Sequence, residues 1–242
     1  MEIVWKFENS DVERVRQFVS AHRAHPFVRG RVEKNVRGAR EGVKKNDFWR
    51  AYVGCLVTTQ QSSGDDSYVS KFLKSRSELL RFSAWSGEGF QLSEIEAELR
   101  GAGLRRNKTI AKQMLETVHL LQEGEWGNAT AQLSSLLGAD VSRKEERCVA
   151  EYFAKKYAGL GPKQSRNLLQ TLGLTKYEIP LDSRVSKALQ KLGFPIKLTA
   201  QSLACKHFYV FTLDAVQELC VRADVYPCEF DACAFVSEEK RT

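Results

Sequence analysis

The 242-residue chain has no stretch of about 18 consecutive apolar residues, so no membrane-spanning helix is expected. Its opening residues, from Met1 to Val15, carry no basic segment running into an apolar one, and the expectation is a soluble, cytoplasmic protein with no membrane partner. Period-two alternation is missing over any useful length, which argues against a sheet. Six cysteines (Cys55, Cys148, Cys205, Cys220, Cys228 and Cys233) without a secretion signal read as free thiols. None forms a C-x2-C pair, and Cys233 lies in the apolar run Phe230 to Phe235, so no iron-sulfur cluster is expected. His22, His25, His119 and His207 lack ligand spacing, which leaves no metal and no other cofactor to be inferred.

What remains is helical spacing almost throughout, and the fold expected is all-α. Amphipathic segments run from about Asp11 to His22, Phe48 to Thr59, Asp66 to Phe82, Ser93 to Arg100, Thr109 to Gln122, Ala129 to Leu136 and Lys144 to Lys156. Others follow from about Lys163 to Leu172, Ser183 to Leu192, Thr199 to Phe208, Leu213 to Val221 and Glu229 to Phe235. Lysine and arginine number 37 against 30 acidic residues, and the net charge of +7 favours a polyanionic partner. The most basic stretch is Arg29 to Lys45, readable as a solvated segment or as an arm that touches phosphates.

One turn has more specific content. Gly159-Leu160-Gly161-Pro162-Lys163 separates two amphipathic segments, with glycines for a sharp turn, Leu160 to plug the gap and Pro162 at a first helical position. Bare amides at the start of the second helix make an anion site suited to a phosphate. The same glycines also fit a plain αα-hairpin. Nineteen residues after Lys163 comes Asp182, followed by Ser183-Arg184-Val185, which reads as a helix N-cap.

Hairpin, lysine, spacing and aspartate together resemble the helix-hairpin-helix DNA glycosylases, and most closely their lysine-containing branch of 8-oxoguanine DNA glycosylases and endonuclease III. Leu99-Arg100 with Gly101 to Lys108 resembles that family's turn beside DNA, and Phe48 to Gln61 resembles its helix and wedge loop. The first 45 residues resemble nothing in the family. Arg184 stands where many members have histidine, and Gln60 where several have asparagine.

The resemblance implies a two-lobed fold with a cleft between the lobes. One lobe is the helical barrel 62–172, ending in the hairpin helix, and the other, discontinuous, combines 1–61 with 173–242. It implies base flipping and excision from double-stranded DNA by a monomer, with an 8-oxoguanine-like base as first choice. Other modified bases, and a module that only grips DNA, stay open as alternatives. Lys163 is then the nucleophile that forms a Schiff base and cuts the strand, and Asp182 is the catalytic carboxylate. Gly159, Leu160, Gly161, Gln60, Gln61, Arg105, Arg106 and Lys108 are the implied DNA contacts, with room for a bridging monovalent cation at the hairpin.

Overall fold

The computed structural model describes residues 4–86 and 89–238, and within them every regular element is a helix or helical turn. Helix α1 (Asn9–His22) starts in a capping box of Glu8 with Asp11 and turns Val12, Val15 and Val19 inward. Helix α2 (Pro26–Val32) is capped by His25, has Pro26 in its first turn and runs into a π-helical turn, Glu33–Arg37. Then come α3 (Lys45–Val57), α4 (Tyr68–Lys74), α5 (Leu92–Gly101), α6 (Asn107–Leu120), α7 (Trp126–Ser134) and α8 (Arg143–Lys156). The last five are α9 (Pro162–Leu172), α10 (Ser183–Lys191), α11 (Ala200–Ala204), α12 (Lys206–Arg222) and α13 (Pro227–Ser237).

Two hydrophobic cores result. The first is contiguous in sequence, built by α3 to α9, and centred on Phe48, Trp49, Tyr52, Trp85 and Phe153. The second joins α1 and α2 to α10, α12 and α13 through Val15, Val19, Leu213, Val216 and Phe230. The boundary expected between residues 61 and 62 is therefore misplaced, because α3 belongs to the first core. Its Phe48, Trp49, Tyr52, Val53, Leu56 and Val57 are all buried. A helix apolar nearly all round has no side to give to solvent, and it can only be central.

Other expectations also shift. The helix expected from Asp66 to Phe82 stops at Lys74, where Ser75 turns extended and Ser77 caps a short 3-10 turn, Glu78–Leu80. Serine hydroxyls compete there for the backbone amides that would continue the helix. The segments expected at Thr199 to Phe208 and Leu213 to Val221 divide instead at Cys205, and α12 then runs unbroken from Lys206. A π-helical turn, Leu121–Glu125, with Gly124 at φ 102°, separates α6 from α7.

Four of the seven basic residues in the stretch are tied to the protein, while Arg29, Arg37 and Lys44 are exposed. Lys34 donates to Thr171 O at 2.5 Å, Arg40 to Leu136 O at 2.6 Å, and Lys45 to Leu121 O at 3.5 Å. Arg31 faces Asp231 at 3.7 Å. Much of the positive charge thus ties the entry of the chain to both cores. No helix of the described residues is long and apolar enough to cross a membrane.

Candidate active site

The amide of Leu160 donates to Tyr157 O at 3.2 Å, closing a tight turn between α8 and α9. Gly159 lies inside it at φ 77°, and a Cβ there would stand 2.5 Å from Leu56 Cδ2 and 2.8 Å from the Gln113 carboxamide. Glycine is thus required twice, by conformation and by space. Gly161 differs, since its backbone is extended (φ −78°, ψ −173°) and a Cβ would meet nothing within 4 Å. Both glycines were expected to shape the turn. Gly159 does so, while Gly161 leaves clear space before the amides of α9. Leu160 is 1% exposed and fills the gap as expected. No side chain caps α9, so its first amides face outward as an anion site.

Lys163 is half-buried in that first turn and forms no ion pair or hydrogen bond with another described residue. It lies close to Cys55 of α3, whose thiol is pushed up to about 12 by burial, against the opposing pull of the lysine charge and of Asn167. Gln164 fixes this junction: its Nε2 donates to Cys55 O at 2.6 Å and to Thr59 Oγ1 at 2.5 Å. Asn167 Nδ2 donates in turn to Gln164 Oε1 at 3.2 Å.

Asp182 is the N-cap of α10, its Oδ1 accepting from the amides of Arg184 at 2.8 Å and Val185 at 3.0 Å. Oδ2 faces the Arg184 guanidinium at 3.6 Å. The segment leading to it is held from three sides. Glu146 on α8 accepts from the amides of Lys176, Tyr177 and Glu178 at 2.9, 2.8 and 3.1 Å, although burial pushes its own carboxyl above the usual range. Glu178 pairs with Arg166 of α9 at 2.6 Å and with Arg147 at 3.0 Å. The Tyr209 hydroxyl accepts from Leu181 N at 2.7 Å and donates to Ile179 O at 3.0 Å. Because Arg166 and Gln170 follow Lys163 by three and seven residues, they share its side of α9. Arg166 and Gln170 join that side of α9 to Glu178 and Asp231, on either side of Asp182 in sequence.

Solved structures share this arrangement of helices. An 8-oxoguanine DNA glycosylase of Thermotoga maritima matches with a TM-score of 0.65 and 18% identity, over 94% of this chain and 97% of that one. The 8-oxoguanine DNA glycosylase of Methanocaldococcus jannaschii gives 0.62 and 14%, over 95% and 94%. A complex of the M. jannaschii 8-oxoguanine glycosylase/lyase with a 15mer DNA containing 8-oxoguanine gives 0.65 and 13%, over 94% and 99%. This chain has the 8-oxoguanine DNA glycosylase fold. No family model and no curated protein matches the sequence.

Within the glycosylase fold, the other expected residues gather along one edge. Thr58 and Thr59 turn their hydroxyls back onto Gly54 O and Cys55 O at 2.8 and 3.0 Å, ending α3. Gln60 follows, exposed and at φ 59°. Gln61 is committed inside the protein: its amide donates to Val57 O at 2.9 Å and Arg105 O at 3.3 Å, and its oxygen accepts from Arg105 N at 2.7 Å. Gln60 is therefore the exposed member of the pair, and Gln61 is the pin that holds Arg105 beside it. Arg106 also lies in the left-handed region, at φ 58°, a conformation costly for a residue with a Cβ and concentrated at functional loops. Lys108 lines an open groove with Lys112, Gln113 and Gly159, so the start of α6 carries the basic edge up to the hairpin. The carbonyls of Gly159 and Leu160 accept no hydrogen bond from a described residue, a donor set that fits a monovalent cation.

Sequence reading missed the groups behind Asp182. Asp231 of α13 is buried, and its carboxyl is pushed up to about 6 by that burial and by Asp182, against the pull of Arg31, Gln170 and Arg184. Arg184 lies over the Phe235 ring at 4.3 Å. Phe235 stacks on Phe27 of α2 with centroids 4.5 Å apart, so the entry of the chain backs the site. A carboxylate inside the run Phe230 to Ala234 was the available signal.

Proposed function

We propose that the protein is a DNA glycosylase that excises an oxidised purine of the 8-oxoguanine kind and then cuts the strand through Lys163. The observation that carries this reading is a half-buried lysine without a partner among the described residues, in the uncapped first turn of the hairpin helix, whose Arg166 pairs with Glu178 in the segment leading to Asp182. Phosphate amid the α9 amides, with Lys108 and Lys112 alongside, would seat the backbone of double-stranded DNA. Main-chain oxygens of Gly159 and Leu160 would hold a monovalent cation there, which supplies positive charge to the same phosphate. Gln60 would enter the space left by the flipped base, with Arg105 and Arg106 on the strand opposite.

In the chemical step the neutral amine of Lys163 attacks C1′. The electron pair of the glycosidic bond leaves with the base, which takes up a proton. Positive charge gathers on the sugar as that bond breaks, and the Asp182 carboxylate stabilises it. The sugar ring then opens to a Schiff base, and loss of a 2′ proton expels the 3′ phosphate.

Borohydride reduction of a reaction with an 8-oxoguanine duplex tests the reading. Wild type is expected to become covalently attached to the strand, and Lys163→Gln to lose at least about 10³-fold of that product while still binding DNA. Asp182→Asn is expected to lower base release about 10²- to 10³-fold at similar affinity. Base release with no trapped product would assign the attack to water. Release of a different base, detected by mass spectrometry, would keep the chemistry and replace the substrate.

A further inference from the structure

Tyr68, the first residue of α4, is the most exposed aromatic side chain among the described residues, with 65% of its surface open. It hydrogen-bonds to no described residue, so neither burial nor a polar anchor accounts for an aromatic there. One side of its ring is nonetheless seated. A Cβ built on Gly103 would lie 2.7 Å from Tyr68 Cδ1 and 2.9 Å from Cγ, and Gly103 sits at φ 74°, so the ring rests on bare backbone that only glycine provides. The rest of the ring faces solvent.

Its surroundings carry the ligand's chemistry. Gly103 leads into Leu104, Arg105 and Arg106, and the Arg105 main chain is bonded through Gln61 to the loop that exposes Gln60. Through Gly103, Tyr68 meets the turn that carries the exposed Arg105 and half-exposed Arg106 and that Gln61 joins to Gln60, while the exposed Asp65, near Lys74 at 3.7 Å, and Asp66 precede it in its own loop. An exposed aromatic face beside a turn bearing arginines is a composition that binds unpaired bases, because every base offers a π-face to stack.

We propose that Tyr68 is a stacking platform for a nucleobase left unpaired when the duplex is opened beside Gln60. The assignment rests on the reading of the protein as a base-flipping enzyme. Tyr68 adds a contact that senses the absence of pairing, whatever base was removed.

Fluorescence anisotropy on two duplexes tests it, one fully paired and one carrying a tetrahydrofuran abasic analogue. Wild type is expected to prefer the abasic duplex. Tyr68→Ala should weaken binding to that duplex about 5- to 100-fold, change the paired duplex less than about 2-fold and leave the thermal midpoint unaltered, while Tyr68→Phe retains wild-type affinity. Wild-type affinity of Tyr68→Ala for the abasic duplex overturns the platform alone. Equal losses on both duplexes overturn it too, by showing a general contact. A wild type that does not distinguish the duplexes removes the base-flipping reading, and the platform with it.

Discussion

Helix α9 begins at Gly161 with no side chain over its amides, whereas α10 begins at Asp182, whose own carboxylate accepts from the amides of Arg184 and Val185. Both starts concentrate positive potential. In α10 that potential is spent internally, fixing the carboxylate in one orientation. In α9 it is left for something outside the protein. The same contrast extends to the neighbours. Lys163 has no partner among the described residues, while Asp182 stands before Arg184, Asp231 and a segment pinned by Glu146, Glu178 and Tyr209. A group that must form a bond has to be free to move, and one that must stabilise charge has to be already in place.

The largest test of this contrast removes the support of the fixed side. Arg166 is 2% exposed at its side chain and pairs with Oε2 of the fully buried Glu178, so Arg166→Met is expected to cost up to roughly 3–5 kcal/mol in denaturant unfolding, by leaving that oxygen unpaired while Arg147 and Gln217 hold only Oε1. A loss under about 1 kcal/mol would mean that Arg147 and Gln217 suffice to hold Glu178.

Next is the charge behind Asp182. Asp231 titrates at about 6 when folded, against an ordinary 3.8, so the folded protein holds this proton more tightly than the unfolded chain does. Its contribution to stability therefore falls as pH rises from about 4 through about 6, by on the order of 3 kcal/mol if no other group compensates. Asp231→Asn should remove that slope from unfolding curves measured across the same window. An identical slope in the variant would place the proton elsewhere.

The two glycines of the hairpin sharpen the comparison from the other side. Gly159→Ala must strain φ 77° and push against Leu56, and is expected to cost about 1–3 kcal/mol. Gly161→Ala meets nothing, so stability should stay within about 0.5 kcal/mol while DNA affinity falls, because the new methyl stands before the open amides. Unchanged affinity would mean that no phosphate docks there.

The smallest effect separates the two duties of Asp182. Asparagine caps helices as well as aspartate does, so Asp182→Asn should keep the stability that Asp182→Ala loses, about 1 kcal/mol, while both variants lose activity. If both unfold alike, the cap is not what holds the carboxylate.

The hairpin turn before Lys163 and the helix N-cap at Asp182 were legible because their signals are local: a turn and a helix start. The groups that position them were not. Arg31 meets Asp231, Phe27 meets Phe235 and Tyr209 meets Ile179 only through the fold, and α2 itself is too short to show a period. Gln61 was expected to contact DNA, but its hydrogen bonds to Arg105 cross 44 residues and could not be foreseen. Glu146 was within reach, since it shares the buried face of α8 with Val149, Ala150 and Phe153, where a carboxylate needs a reason to be. The lobe boundary failed because α3 was assigned by its place along the chain and not by its apolar circumference.

The discontinuous second core has a consequence for how the protein is made. The lobe that bears Lys163 is complete in sequence once Leu174 is synthesised, and it can fold as the chain emerges. Helices α1 and α2, although made first, must wait for α12 and α13: Val19 O meets the Cys233 thiol across 214 residues. A nascent chain therefore has its lysine lobe long before the lobe that orients the aspartate, and the carboxylate is set only when the earliest and latest segments close on each other.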